Sequence, residues 1–395
     1  MLDAVAILRK LVSIPSVNPM GRMRVAEDDG GIYYEHRVTE FLAGQFAELG
    51  LPCERHEVHP GRGNVLARLE GAADGPTLML EVHQDTVPIE GMTVEPFTGE
   101  LRDGRVYGRG ACDVKGAMAC ILTTISKLAA ERPAGMPNIV VACTVNEEHG
   151  FTGAQHLAEL WRSGKSKLLP RAPDAIIVSE PTELNVVVAH KGVVRWRCTA
   201  RGRAAHSSAP ENGDNAIYRM AEVINILRTY ASDIVPSLGE HPLLGRPTLS
   251  IGTVTGGISV NTVPDHCTIE IDRRLLPDED PEAAMQHATD YLAANLGDAN
   301  HHIDHSQPII VARGLKGNQN SQLADRLIAM ADHCNVTSRT IGVPFGTDAS
   351  AFGTEVPTIV FGPGSIVQAH TKDEWIAVEQ LEKATEVLSA LCGSL

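Results

Sequence analysis

Glu147 and Glu148 are adjacent carboxylates placed one residue beyond the apolar run 139–145. A strand that ends in two like charges costs repulsion unless metal ions or shared protons offset it. The same pattern, an apolar run and then a potential ligand, recurs three times. Residues 77–82 precede His83-Gln84-Asp85, 175–178 precede Glu180, and 357–361 run shortly ahead of His370. A further carboxylate, Asp113, sits in the glycine-flanked turn 108–116. Open α/β sheets place their sites at the carboxyl ends of strands, so donors gathered there predict a two-metal hydrolase.

Hydrolysing an amide near neutral pH needs a nucleophile stronger than bulk water and a place for charge on the carbonyl oxygen. Two divalent ions roughly 3.5–4 Å apart supply both. One carboxylate shared by both ions, with a histidine and a carboxylate for each, gives a symmetric ligand set. A further carboxylate must stay off the metals to accept the proton. His83 suits one ring nitrogen to an ion while Asp85, two residues on along an extended chain, orients the other. Asp113, where glycines allow close backbone approach, suits the bridge. If the strand continues, Glu147 and Glu148 face opposite sides, so one is a ligand and its neighbour the base. Glu180 and His370 complete the set. Cys112, beside Asp113, is a weaker candidate for ligand or nucleophile.

Such side chains need a covered sheet to hold them. The 395 residues are enough for two domains, each with its own core. Over residues 1–188, helix patterns interleave with short apolar strands: helices over 38–49, 117–130 and 153–162, strands over 65–69 and 78–82. From about 317 the style resumes, with Leu323, Leu327, Met330 and Cys334 on one helical face and Val378, Leu381, Val387 and Leu391 on another. The middle differs. A strand over 193–200, a helix over 214–231, strands over 248–254 and 267–273 joined through Gly256-Gly257, a helix opened by Asp280-Pro281, and a strand over 300–306 follow in turn. That β-α-β-β-α-β order predicts a ferredoxin-like α+β module inserted into an α/β domain. The expected division is a metal-binding catalytic domain of 1–188 and 310–395 and an inserted lid or dimerisation domain of 189–309.

Composition narrows the partners. A net charge of −15 and 4% aromatic residues argue against nucleic acid, which wants a basic face and stacking platforms. Eight scattered cysteines without a Cys-x-x-Cys pair predict a reducing, cytoplasmic setting. Residues 1–14 read as an amphipathic helix rather than a signal peptide, and no stretch reaches transmembrane length, so no membrane is expected. Gly108-x-Gly110 meets Asp113 where a dinucleotide fingerprint wants glycine. His56-Glu57-Val58-His59 has histidines three apart, not the four of a zincin helix, and reads as a polar turn. His301, His302 and His305 are expected at the surface of the inserted module's last strand.

Seven stretches resemble the metal-dependent exopeptidase and deacylase family of acetylornithine deacetylase, succinyl-diaminopimelate desuccinylase, aminoacylase and glutamate carboxypeptidase. They are 82–88, 107–116, 146–150, 179–182, Ala205-His206-Ser207-Ser208, 261–265 and Ala369-His370-Thr371, in the family order along nearly the whole chain. The resemblance implies two Zn²⁺ or Co²⁺ ions, one on His83 and Glu180, the other on Glu148 and His370, with Asp113 bridging. It implies Glu147 as general base and acid, and a cis peptide after Asp113. It implies that His206, from the partner copy of a homodimer formed through the lid, polarises the scissile carbonyl. Arg274 matches an arginine that holds a substrate carboxylate, with Arg273 as the adjacent alternative. Asn261 and the loop Gly346-Thr347-Asp348-Ala349 match further substrate contacts. The activity implied is removal of an N-acyl group from an amino acid, with acetylornithine deacetylase first, then succinyl-diaminopimelate desuccinylase or a metallo-dipeptidase or carboxypeptidase.

Overall fold

A computed structural model describes residues 2–21, 31–317 and 320–394. The chain divides into two compact units, Met1–Val188 with Lys316–Ile341 and Thr347–Leu395, and Ala189–Leu315 with Gly342–Gly346. Residues 310–315 were expected with the catalytic domain. They group with the second unit because Ile310–Ala312 pairs with Gly192–Arg201.

The first unit is built on an eight-stranded mixed sheet flanked by helices. Its order is Cys53–His59, Arg62–Leu69, Asn138–Thr144, Thr77–His83, Ala175–Val178, Thr358–Val360, Val186–His190, Thr340–Val343. The four central strands run parallel. Thr77–His83 and Asn138–Thr144 are buried along their whole length, which is why they read as unbroken apolar runs rather than alternating ones. Helix Gly116–Glu131 packs against Ala4–Val12 and Val378–Gly393, and the three share one core with the sheet through residues such as Leu8, Ile121 and Leu388. Lys115, fully buried ahead of that helix, donates its ammonium to the carbonyls of Leu11 and Ile14. It thereby caps the C-terminal end of Ala4–Val12 with positive charge. Residues 56–59, read as a polar turn, instead lie in the edge strand Cys53–His59. Charged side chains on an edge strand leave no apolar alternation to see and guard its open side.

The second unit has its own antiparallel sheet, ordered Thr248–Gly256, His266–Leu275, Gly192–Arg201, Ile303–His305. Helices Ala216–Thr229 and Pro281–Leu296 cross between strands, giving the ferredoxin-like order. Asn215 and Asp280 cap these helices through their side-chain oxygens, and Pro281 occupies the first turn. One face of the sheet buries Trp196, Cys198, Ile269 and Ile271 against Met220, Val223 and Leu292. Residues 300–302 belong to the short helix Gly297–His302, so the last strand is Ile303–His305. No described helix is long and apolar enough to cross a membrane.

A candidate metal centre at the carboxyl edge of the sheet

In the parallel ladder His83 pairs with Thr144, and Glu81 with Val178. Register therefore delivers His83, the tip 145–148 and Ser179-Glu180 to one edge. Val360 sits beside Val178, and the chain leaves past Gly362 toward His370. A Cβ at Gly362 would stand 2.6 Å from the carbonyl oxygen of Glu180, so only glycine lets the two segments come this close.

Two overlapping groups of ligand atoms result, His83 with Asp113 and Glu180, and Asp113 with Glu148 and His370; within each, the atoms lie within 4.8 Å of one another. His83 Nε2 is 3.2 Å from Asp113 Oδ1. His370 Nε2 is 3.1 Å from Glu148 Oε2 and 3.4 Å from Asp113 Oδ2. Asp113 thus presents one oxygen to each histidine. Burial pulls its carboxyl up, but the hydrogen bonds from His370 and His83 win and hold it below the usual range. Hydrogen bonds to Asp113 and Glu148 lift His370 to about 10. Burial and the Asp113 charge push Glu148 up to about 7. Burial and neighbouring carboxylates hold Glu180 and Glu147 well above the ordinary value. So much gathered negative charge calls for cations. Among the described residues Glu148 Oε1 is buried with no hydrogen-bond partner, as expected of an atom whose partner is an ion. The donor set of imidazoles and carboxylates fits two divalent cations of the zinc or cobalt kind.

The tip does not continue the strand. Asn138–Thr144 ends at Thr144, and 147–150 form a turn. Glu148 joins the Asp113–His370 group, while Glu147 stands outside both groups. Asp85 was expected to orient His83 with its carboxylate. The His83 Nδ1 faces the Asp85 backbone carbonyl at 3.0 Å, with the nearer carboxylate oxygen at 3.7 Å. The carboxylate is occupied elsewhere. Its Oδ1 accepts the N–H of Glu147 (3.1 Å) and its Oδ2 that of Glu148 (3.2 Å).

The Asp113 turn is held from a distance. Gly108 and Gly110 have φ of 142° and 80°, and a Cβ on Gly108 would meet Val12 at 2.5 Å. The Asp113-Val114 peptide is cis. Glu374, which sequence reasoning passed over, accepts the N–H of Gly110 (3.0 Å), Cys112 (2.9 Å) and Asp113 (3.0 Å), and pairs with Arg109 Nη1 at 2.6 Å. An acid wedged between the polar stretch after His370 and Trp375-Ile376 was the one available signal. Cys112 is buried, its Sγ donates to the Ser365 carbonyl at 3.3 Å, and burial pushes its thiol well up, leaving no nucleophilic thiolate. Glu81, also passed over in the sequence, and Asp348, expected among the substrate contacts, are buried beneath the edge, where Thr144 Oγ1 lies 2.5 Å from Glu81 and 3.0 Å from Asp348. Burial and Asp348 hold Glu81 well above the carboxylate range, and burial lifts Asp348 to about 6.

The remaining expected residues fall mostly in the second unit. His206 and Asn261 neighbour each other there, since Ala205–His206 pairs with Thr262–Val263 and the Ser207 N–H donates to the Asn261 carbonyl at 3.0 Å. The Ser208 N–H donates to His206 Nδ1 at 3.2 Å, so the proton of the neutral ring sits on Nε2. Arg273 is fully buried, with Nη1 on the Arg274 carbonyl and Nη2 on Glu279 at 2.6 Å. Arg274 is half-buried and engages Asp272 through Nε at 2.7 Å, its Nη groups having no acceptor among the described residues. Gly346 closes the last segment of this unit. Thr347, in the first unit, is fully buried, and its hydroxyl accepts the Ala349 N–H at 3.2 Å. Its side chain caps the short helical turn Asp348–Ala351.

The family model described as peptidase family M20/M25/M40 matches residues 79–394. Acetylornithine deacetylase of Vibrio campbellii is 32% identical over 360 residues, 89% of this chain and 90% of that protein. Among solved structures, the Saccharomyces cerevisiae di-peptidase Dug1p has a TM-score of 0.80 at 15% identity and covers 99% of this chain and 95% of its own. The Bacillus subtilis YXEP protein, described as a dinuclear metal binding peptidase, has a TM-score of 0.67 at 17% identity, covering 99% and 96%.

Proposed function

This chain belongs to peptidase family M20/M25/M40, a family of hydrolases, and we propose that it removes the acyl group from the α-nitrogen of an N-acyl amino acid, acetylornithine foremost. The observation that carries this reading is the pair of ligand groups sharing Asp113, with a carboxylate, Glu147, left outside both. His83, Asp113 and Glu180 would hold one divalent ion and Asp113, Glu148 and His370 the other, Zn²⁺ or Co²⁺ being the ions assigned. Bound there, the pair would supply a water of lowered pKa and positive charge for the carbonyl oxygen. The dinuclear Bacillus subtilis relative supports the number.

The chain's own residues do the rest. Glu147 accepts the proton of the attacking water on its carboxylate and returns it to the amine nitrogen as the C–N bond breaks. Burial raises Glu147 above the ordinary carboxylate range, which suits a group that must hold a proton between the two steps. His206, supplied by the partner copy of the assigned homodimer and with its proton on Nε2, would donate to the carbonyl oxygen as that oxygen gains charge. The unspent Nη groups of Arg274 suit the substrate α-carboxylate, and Asn261 and the Gly346 loop are assigned to the rest of the substrate.

We assign a homodimer formed through the second unit. Its edge strand Thr248–Gly256 and the adjoining loop expose Val254 (62%), Ile258 (82%) and Val260 (101%), an apolar edge that pairing would cover. Eight free cysteines support a reducing cytoplasm.

The test is release of amine from acetylornithine, succinyl-diaminopimelate, acetylmethionine and a dipeptide by zinc- and cobalt-loaded protein, with bound metal counted. Two ions per chain and fastest turnover of acetylornithine are expected. Preference for the succinyl compound moves the assignment to succinyl-diaminopimelate desuccinylase, and preference for the dipeptide to a metallo-dipeptidase or carboxypeptidase. Metal bound without turnover of any of them would make this a binding protein and end the reading.

A further inference from the structure

The tip that carries Glu147 is pinned from outside its own strand at four consecutive residues. The N–H of Val145 donates to Asn64 Oδ1 (3.1 Å), that of Asn146 to Glu35 Oε1 (3.2 Å), and those of Glu147 and Glu148 to Asp85. Among these acceptors Glu35 has no part in the metal groups or in the proposed chemistry. Its side chain is fully buried, and so, nearly, is that of Arg62, whose Nε and Nη2 grip the two oxygens of Glu35. Asn18 ties the same network together, with Nδ2 on Asp85 Oδ2 at 2.7 Å and on Asn146 Oδ1 at 2.9 Å. Asn146 itself has φ of 65°. Its amide lies outside the strand ladder and is held by the Glu35 carboxylate.

A buried ion pair is a poor way to stabilise a fold, because apolar residues of the same volume usually do as well or better. What a planar guanidinium does well is fix the orientation of a carboxylate. We propose that Arg62 and Glu35 are positioning residues for Glu147, holding the Asn146 amide so that the Glu147 carboxylate stands at its working place. The inference rests on reading Glu147 as the proton acceptor. Glu35 Oε1 accepts from both Arg62 Nη2 and the Asn146 N–H, and Oε2 accepts from Arg62 Nε. In Glu35→Gln the amide nitrogen must oppose the donors at one of these two places, so the guanidinium fork no longer fixes the group. The tip then shifts while both metal groups stay whole.

The experiment compares Glu35→Gln with the parent as metal-loaded, full-length enzyme, each with Glu147 intact and with Glu147→Ala. Displacement of a reacting group costs kcat about 10- to 100-fold. We expect that loss with KM within about twofold, metal content unchanged, and no further loss in the Glu147→Ala background. Arg62→Lys keeps the charge, loses the fork, and should lower kcat about three- to tenfold. It carries the same comparison if Glu35→Gln does not fold. Unchanged kcat in folded variants, equal losses in both backgrounds, or a change in KM or metal instead of kcat would each overturn the proposal. Substantial turnover by Glu147→Ala alone would show instead that the base is misassigned, and this inference would go with it.

Discussion

The two units hold their polar residues in opposite ways. In the first, His83, Asp113 and Glu180 are 2%, 7% and 5% exposed, and the backbone that carries them is fixed by acceptors far along the chain. Asp85 reaches 62 and 63 residues to Glu147 and Glu148, and Glu374 reaches 261 to Asp113. In the second, His206 and Asn261 are exposed, and among the described residues their side chains bond only to Ser208 and Ser259, two residues away. A cluster of like charges in low dielectric repels itself and stays assembled only if the surrounding backbone is over-determined. A group that meets a substrate briefly does better with its donors unspent. The difference teaches where rigidity is needed and where it would waste binding capacity.

Four substitutions put that contrast to the test. Glu147→Ala should lower kcat roughly 10³- to 10⁴-fold by removing the proton acceptor, with metal analysis still giving the parent value. His206→Ala should cost about 10²- to 10³-fold in kcat. Because the ring is exposed, thermal unfolding should shift by no more than about 0.5 kcal/mol; a larger shift would mean that the second unit is also built around its polar residues. Asp85→Asn leaves one oxygen for two N–H groups and should lower kcat about 10- to 100-fold, read against unchanged metal content. The smallest effect is expected at Arg274→Lys, with KM up about tenfold at constant kcat, since an ammonium cannot match a carboxylate with two parallel donors. Were Arg273→Lys to do the same, the buried and half-buried arginines would have exchanged roles.

The meeting of His83, Asp113, Glu148, Glu180 and His370 was legible because each follows an apolar run or a glycine turn, and parallel strands in register bring such ends together. The inserted module was legible from its order of elements and from Asp280-Pro281. What escaped was everything that acts through the backbone of another segment. Asp85 looked like a partner for His83 because the two share a face of an extended chain, yet its carboxylate turns to the Glu147-Glu148 amides. Glu374, Glu35 and Arg62 carry no local signal, since a buried acid reads like a surface acid until its partner is known. The Cys53–His59 strand escaped because an edge strand with charged side chains shows no period.

One feature of the Asp113 turn has a mechanical consequence. Glu374 lies only four residues beyond His370, and its carboxylate grips the loop that presents Asp113. Two donors from distant stretches are thereby tied to a common anchor, reinforced by Arg109 Nη2 on the Thr371 carbonyl at 3.3 Å. A substitution at that anchor is therefore expected to disturb Asp113 and His370 together, rather than one donor at a time.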